Sequence, residues 1–416
     1  MIKKTLMKLS FVLSIPIAGG MIMASCSNQP QQQNSTAPKK DCAVKKSIDT
    51  SKAKPVAAKP MGDTVTPNRK FNDEARFIAG MKQLPGSSLM ALEKDTFWIR
   101  YAKNFDTQWN QVQAKRIKPM SDWAATELAA ECKSNLDVFY PFSGPDILHA
   151  NAFFPNAHVY HLYALERAGA VPDLAKMKTA AIDTYLTDLY ASLADVFTKS
   201  YFITKNMLTD LQRENVNGTL TPICVFLVRS GHEIVNVKYF HLNENGTETQ
   251  LKKDSAAIHT NDFVKVYFKN PADSSIQVVT YMKCDLSDNP LKANKGLSTW
   301  LNNMPMSITY IKSASYLLQN SFFSVMRDYI LKKSQSIVQD DTGMPFKYMG
   351  GDKWNISLYG VYIKPVSSFP VGFFQTDLEK AYKVSDSLKM VKKLPFSLGY
   401  HWGTSLQNLI KAERKG

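Results

Sequence analysis

The chain has 416 residues, of which 44% are hydrophobic and 21% charged, and its formal net charge is +15. These proportions exclude a disordered protein or a short peptide and leave room for one large domain or two modest ones. Residues 1–70 carry a net charge of +9, so the remaining chain carries only +6, in mixed sign. Because a nucleic-acid binder concentrates positive charge on its folded part, we expect no nucleic-acid partner.

The first 26 residues have the pattern of a lipoprotein signal. Three lysines at the start precede an apolar stretch, residues 9–23, that is too short and too interrupted for a membrane span. The end of this region, Met23 to Cys26 (MASC), resembles the lipobox of bacterial lipoproteins, although the family consensus has Leu where Met23 stands. The resemblance implies that residues 1–25 are a cleaved signal peptide and that Cys26 is acylated. Such acyl chains anchor a protein without a transmembrane helix.

The residues after Cys26 bear on sorting and on local order. No Asp follows the cysteine, so the resemblance implies delivery to the outer membrane rather than retention in the inner one. An acidic cluster of the kind that exports some lipoproteins to the cell surface is also missing, which favours the periplasmic face. Residues 26–70 have scarcely any large apolar side chain and cannot offset the entropy of folding, which predicts a disordered basic tether.

The other four cysteines are Cys42, Cys132, Cys224 and Cys284. Their spacing predicts neither a disulfide scaffold nor a zinc site. Cys224 and Cys284 fall in strand-like runs and would pair if those strands are neighbours, and buried free thiols are the alternative. Cys42 lies in the tether and is expected to be free or intermolecular.

The folded part is expected to cover residues 71–416, with a possible boundary near 215–220. Its first predicted helix is 122–133, with Ser121 as the N-cap.

An aromatic run from Phe139 to Asp146 (FYPFSGPD) then enters a tight turn that places Ser143 and Asp146 at the start of a possible helix. Ser143 would act as a nucleophile only with a base within hydrogen-bond reach. We prefer the interpretation that Ser143 and Asp146 cap a turn or helix.

Three histidines follow, namely His149, His158 and His161. On a helix, His158 and His161 would share a face and could hold a metal. The alternation from His158 to Leu165 instead predicts a strand, where a spacing of three points the two rings to opposite faces. These two residues are therefore weak metal candidates, and we expect no metal and no cofactor.

The spacing of the apolar side chains changes in the middle of the chain. Residues 174–193 repeat apolar side chains at spacings of three and four, which predicts a core-facing helix. From 222 to 285 the period is two, which predicts successive antiparallel strands. The predicted strands are 224–229, 234–242, 264–269 and 276–284.

A helix over 313–339 and a strand over 354–364 are predicted next. Asp340 and Asp341 would then lie in or just after the last turn of that helix, with Gly343 as its stop. Acids there oppose the helix dipole at about 0.3–1 kcal/mol each, so a cation or a donor is expected nearby. Lys347 or backbone amides would suffice, and a ligand or metal is the alternative.

Near the C-terminus, His401 stands between Tyr400 and Trp402. This ring would stack a sugar or act as a general base, and a packed strand end is the alternative interpretation.

The order of these elements predicts an α+β fold, with a helical N-terminal part packed on a largely antiparallel central sheet and a mixed α/β C-terminal part. The run FYPFSGPD, together with QDDTGMPF (339–346) and LPFSLGY (394–400), resembles a family of secreted bacterial proteins and lipoproteins without an assigned activity. The resemblance implies a shared fold and brings no mechanism with it.

The sequence lacks a phosphate-binding glycine loop, a Gly-x-Ser-x-Gly elbow, a His-Glu-x-x-His pair and an acidic calcium loop. We therefore expect a membrane-anchored envelope lipoprotein that binds or scaffolds envelope proteins or cell-wall material without catalysis. The alternative is a periplasmic hydrolase that acts on an envelope polymer, lipid or ester. Its site would draw on a set of five residues, and their convergence in one open pocket would favour it. The set is Ser143, Asp146, Asp340, Asp341 and His401.

Overall fold

The computed structural model of the protein describes residues 65–201, 216, 218–252, 262–387 and 390–416. All of them belong to one unit that runs from Ala58 to Gly416. The predicted signal peptide, the predicted lipidation site Cys26, the residue Cys42 and the predicted tether up to residue 64 lie outside the described residues.

A mixed sheet of ten strands runs through the described part of the chain. In chain order the strands are β1 (Val138–Tyr140), β2 (Val159–Ala164), β3 (Glu233–Leu242), β4 (Glu248–Gln250), β5 (Phe263–Lys269), β6 (Ile276–Lys283), β7 (Ser307–Ile311), β8 (Ser334–Gln339), β9 (Trp354–Gly360) and β10 (Asn408–Arg414). Their order across the sheet is β4-β3-β5-β6-β2-β1-β7-β8-β10-β9. The five middle strands of the sheet are parallel to one another, namely β6, β2, β1, β7 and β8. The pairings at both ends of the sheet are antiparallel.

Helices cover both faces of this sheet. The α-helices of the described ranges are α1 (Arg69–Ile78), α2 (Thr96–Val112), α3 (Lys118–Glu127), α4 (Ala129–Lys133), α5 (Ile147–Phe153), α6 (Thr179–Ser192), α7 (Ala194–Thr198), α8 (Leu220–Arg229), α9 (Asp288–Ala293), α10 (Lys295–Asn303), α11 (Ser324–Lys333) and α12 (Thr376–Ser387). Most helices before β3 pack on one face, which Tyr160 and Leu162 of β2 also reach. Helices α9 to α12 pack on the other face, with Tyr163. Each fully buried large apolar side chain contributes about 1.5–3 kcal/mol, so both layers hold the sheet.

The predicted α+β class is confirmed, with N-terminal helices packed on a sheet. The predicted antiparallel run also holds, because β3, β5 and β6 pair in that way. The strand prediction for 224–229 was wrong, since these residues belong to helix α8. All of α8 except Arg229 is buried, and an apolar run that is buried all round has no period to distinguish strand from helix.

The helix prediction for 313–339 was also wrong. This stretch contains two short 3₁₀ turns, then α11 and then strand β8. Asp340 and Asp341 therefore follow a strand that ends at Gln339, and no helix dipole opposes them. The cost that we attributed to these two acids does not arise there.

The parallel strands β1 and β7 are neighbours whose connections leave in opposite directions. After β1 the chain enters α5, which packs in the first layer, and continues to β2 on one side. After β7 it enters α11, which packs in the second layer, and continues to β8 on the other side. Such a reversal of strand order opens a crevice at the carboxyl ends of the strands, where α/β sheets bind their ligands.

Candidate functional site

All five residues of the predicted hydrolase site lie near the carboxyl edge of the parallel strands. Ser143 and Asp146 follow β1, and Asp340 and Asp341 follow β8. His401 reaches the same edge from a 3₁₀ turn near the C-terminus and contacts Asp341. The three sequence blocks that carry the family resemblance therefore converge at this edge.

The hydroxyl of Ser143 is tied to the backbone. Its Oγ accepts a hydrogen bond from the amide of Tyr163, at 3.0 Å, and lies within 3.2 Å of the carbonyl oxygens of Tyr163 and Gly144. These contacts join the loop after β1 to the end of β2. They also hold Phe142 and Gly144 in the left-handed region, at φ of 59° and 55°. Within the described residues, no base lies in hydrogen-bond contact with Ser143, so its hydroxyl shapes this loop.

Asp146 is the centre of a buried cluster of three side chains, Asp146, His149 and Lys312, which we name the Asp146 cluster. Its Oδ1 lies 2.6 Å from Nδ1 of His149, and its Oδ2 lies 2.8 Å from Nζ of Lys312. Tyr140 donates its hydroxyl to Oδ2 as well, at 2.9 Å. Burial by itself would raise the pKa of Asp146, but His149 and Lys312 outweigh it and hold that pKa well below its usual range.

Burial lowers the pKa of both other members of the cluster, His149 and Lys312. Burial lowers the pKa of His149 to about 4, although Asp146 opposes this change, so the ring is neutral at pH 7. A neutral ring that donates from Nδ1 to Asp146 accepts at Nε2 from the Ser200 hydroxyl, 3.3 Å away. Burial also lowers the pKa of Lys312, whose Nζ donates to Asp146 and to the carbonyl oxygen of Ser200 at 2.7 Å.

Asp340 lies next to this cluster and is equally buried. Its Oδ1 accepts from the backbone amide and the hydroxyl of Thr342, and its Oδ2 accepts from the amide of Ser313 at 2.9 Å. Burial, followed by the charge of Asp341, raises the pKa of Asp340 to about 6. A carboxyl group with this pKa is partly protonated near neutral pH, which limits the negative charge in the buried region.

Asp341 has a hydrogen bond to each oxygen of its carboxylate. Its Oδ1 lies 2.9 Å from Nε2 of His401 and 3.0 Å from Nδ2 of Asn408. Tyr316 donates its hydroxyl to Oδ2 at 2.6 Å. Burial lowers the pKa of His401, but Asp341 and Asp340 outweigh burial and the net shift is upward. A histidine and side-chain donors, rather than Lys347, thus satisfy the need for a donor near Asp341.

A cleft of about 440 Å³ opens at the same edge, and we name it the edge cleft. The loops after β1, β2, β6 and β7 line it, together with the aromatic turn before α11. Its walls are mainly apolar, and they include the exposed side chains of Leu165 and Phe322. The edge cleft shares its loops with the Asp146 cluster, because Gly144 and Ser315 line it, close in the chain to Asp146 and Lys312.

Glu166 is the buried acid of the edge cleft. The residue is only 2% exposed, and its Oε1 has no hydrogen-bond partner in the described ranges. Burial raises the pKa of Glu166, against the lowering effect of its own backbone amide and that of Leu165. Sequence reasoning overlooked this residue and Lys312. Each residue lies just after a buried parallel strand, Glu166 two positions after β2 and Lys312 directly after β7. Polar residues at such strand ends are the signal that could have identified them.

A second pocket, of about 490 Å³, lies on the face of strands β2, β5 and β6. Its floor contains a polar row across three strands, because His161 pairs in register with Thr280 and Thr280 with Lys265. Nε2 of His161 lies 3.1 Å from Asp137, whereas its buried Nδ1 has no partner in the described part of the chain.

His158 and His161, the weak metal candidates, both line this second pocket. Strand β2 begins at Val159, so the alternation on which we based opposite faces does not include His158. Among the described residues, no group of three His, Cys, Asp or Glu side chains is close enough to hold a metal ion.

Three cysteines of the described residues are free thiols, namely Cys132, Cys224 and Cys284. The alternative of a disulfide between Cys224 and Cys284 is thereby excluded, since Cys224 lies in helix α8. Burial raises the pKa of Cys132 to about 11 and raises those of the other two further. A thiol with a raised pKa is a poor nucleophile.

Comparison of the chain with protein-family models, with curated proteins and with solved structures found no significant match. Within the described ranges, the helices are all too short or too polar to cross a membrane.

Proposed function

We propose that the protein is a lipid-anchored lipoprotein of the cell envelope, acylated at Cys26, and that its folded part binds a ligand in the edge cleft without chemical conversion. One observation carries the binding role. The edge cleft opens at the carboxyl ends of parallel strands, beside a reversal of strand order, and contains the unpartnered Oε1 of Glu166. A concave apolar site with a few polar groups at this position of a sheet is the usual form of a ligand site.

The hydrolase alternative has less support. A hydrolase of the serine type needs a nucleophile within hydrogen-bond reach of a base. Within the described residues, the hydroxyl of Ser143 contacts backbone atoms and the hydroxyl of Ser315 lies 2.7 Å from that of Tyr400, so neither hydroxyl contacts a base. Asp341 and His401 are both buried, and the hydrogen bond between them joins the loop after β8 to the 3₁₀ turn near the C-terminus.

The anchor and the tether place this binding site near the envelope. The lipobox resemblance implies the periplasmic face of the outer membrane, where envelope proteins and cell-wall material are the available partners. A basic tether would let the folded part reach them while the acyl chains stay in the bilayer.

Site-specific photo-crosslinking in native membranes tests the binding role. Leu165 lines the edge cleft and is 52% exposed, and Val384 on α12 is 60% exposed outside it, so the two are matched positions for a photoreactive amino acid. We expect a discrete adduct from position 165 and none from position 384. Equal adducts from both positions, or none from either, would contradict a ligand in the edge cleft.

The same membranes test the anchor. Metabolic labelling with an alkyne fatty acid is expected to mark the wild-type protein, whereas Cys26→Ser is expected to lose the label and leave the membrane fraction. Labelling that persists in Cys26→Ser would place the lipid elsewhere.

A screen of the purified protein with fluorogenic esters and cell-wall fragments tests the hydrolase alternative. Turnover that Asp341→Asn abolishes without loss of folding would favour the hydrolase.

A further inference from the structure

We propose that the ligand of the edge cleft is a compact organic cation, an ammonium group on an apolar body, whose charge pairs with the carboxylate of Glu166. This inference rests on the proposed binding function and names the chemical class of the ligand. Four features of the cleft support it: the buried carboxylate, the balance of charge, the aromatic wall and the rigid loops.

The carboxylate of Glu166 is only partly compensated, since the backbone amides of Glu166 and Leu165 lower its pKa but do not satisfy both of its oxygens. The residue is 2% exposed, and the buried Oε1 has no donor among the described side chains and amides. A buried polar atom without a partner is costly, and buried acids are usually paired or hydrogen-bonded. The contrast with Asp146 and Asp341 is direct, since both oxygens of each of those acids have a donor. A ligand donor is the missing partner of Glu166.

The charged residues of the cleft indicate whether the ligand that carries this donor is positive or negative. Asp285 is the other acid of the lining, and its Oδ1 accepts from the amide of Ser287 at 2.9 Å. Among the described residues, the lining includes no lysine, arginine or histidine. The cleft therefore presents acids without basic side chains, which attracts a cation and repels an anion.

The aromatic wall fits the same ligand. Phe142 and Phe323 meet edge to face with ring centroids 5.5 Å apart, and Phe322 lies 5.2 Å from Phe323. Aromatic faces attract ammonium groups through the ring quadrupole. Phe322 is 54% exposed, and with Leu165 it offers an apolar rim for the body of the ligand.

The loops that form the walls are held in strained conformations. Ser313, Ser315 and Tyr316 have φ values of 54°, 52° and 57°, and Phe142 on the opposite loop has 59°. Left-handed residues other than glycine cost free energy and persist where the surrounding structure enforces them. Asp340 holds the amide of Ser313, and Asp341 holds the hydroxyl of Tyr316. The buried acids thus preorganise the cleft rather than react in it.

Isothermal titration of the full-length lipidated protein tests the ligand class. The probes are benzylammonium, whose N–H groups can donate to Glu166, and its neutral isostere ethylbenzene, at pH 7 in phosphate buffer and a maltoside detergent, because Tris and choline headgroups are themselves organic cations. We expect the cation to bind at least about tenfold more tightly than the neutral probe. Glu166→Gln is expected to abolish this preference.

Two further variants serve as controls. Asp352→Asn removes an exposed acid outside the edge cleft and is expected to change cation affinity by no more than about twofold. Phe322→Ala changes an exposed side chain, so it should fold normally and weaken binding of the cation by about threefold or more. The melting curve of each variant verifies that it is folded.

The outcomes separate the ligand class from the binding function. Equal affinity for the two probes, or a preference for the cation that survives in Glu166→Gln, would overturn the organic cation. If the photoreactive group at position 165 still forms its adduct, the binding function would nevertheless stand. Failure of both probes to bind would also overturn the ligand class, and it would remove the binding function as well if position 165 forms no adduct.

Discussion

Gly399 packs so closely against the carboxylate of Asp340 that a β-carbon at position 399 would lie 2.5 Å from Oδ2. The same glycine has a φ of 59°. Position 399 belongs to the third sequence block and Asp340 to the second, so this contact joins two of the three blocks. The glycine leaves the space in which the buried acid holds the loop after β7.

Gly399→Ala is therefore expected to destabilise the protein. The left-handed backbone costs about 1–2 kcal/mol for alanine, and the clash with Asp340 adds to this, for a total of about 2–4 kcal/mol. Gly403→Ala is the matched control, because Gly403 has a φ of 74° and open space around it. Urea denaturation of both variants measures the difference, and equal losses would refute the role of the contact.

Lys312→Met is expected to lower the free energy of unfolding by about 3–5 kcal/mol, because it leaves the carboxylate of Asp146 buried without its cation. The double variant Lys312→Met with Asp146→Asn should recover much of that loss, since no charge then stays unpaired. A double-mutant cycle by chemical denaturation gives the coupling. Losses that simply add would mean that the two side chains do not interact.

The pH dependence of stability reports on Asp340. Its pKa of about 6 in the folded protein lies above the ordinary value of an aspartate, so the folded state binds more protons than the unfolded state. This contribution is complete below about pH 4 and is lost as the pH rises through about 6, by up to about 3 kcal/mol.

Asp340→Asn removes that titration. The difference in unfolding free energy between the wild type and this variant should shift against the wild type from pH 4 to pH 7. His149 and Asp146 have lowered pKa values and act in the opposite direction, but they are common to both proteins and cancel in the difference. A difference that stays constant over this range would show that Asp340 ionises normally.

Glu166→Gln is expected to stabilise the ligand-free protein at pH 8 by about 1 kcal/mol, because a neutral amide replaces a buried ionised carboxylate whose Oε1 has no donor among the described residues. The raised pKa of Glu166 gives the sign, since its contribution to stability is present at low pH and lost as the pH rises. The melting temperatures of the two proteins should converge near pH 4. A variant that is less stable at pH 8 would indicate a structural role for the charge.

The elements with local patterns were predictable from the sequence. Strand β2 matches the alternation that begins near His158, and β3, β5 and β6 match the period of two with turns between them. A short turn joins the antiparallel neighbours β5 and β6, which makes their pairing readable from sequence, whereas β3 pairs with β5 although β4 lies between them in the chain. Helix α8 was not predictable, because a fully buried segment shows no amphipathic period.

For the site, too, some features were predictable from the sequence and others were not. The sequence by itself determined which residues are unusual: two adjacent acids, a Ser-Gly-Pro-Asp turn and a Gly-Tyr-His run. Only the tertiary structure decided that Lys312 pairs with Asp146, that Gly399 packs on Asp340 and that Oε1 of Glu166 has no partner within the described ranges. Parallel strands are joined by long crossovers, and their register depends on the packing of both helical layers. The partners of a residue at their carboxyl ends therefore come from distant segments that no local pattern relates.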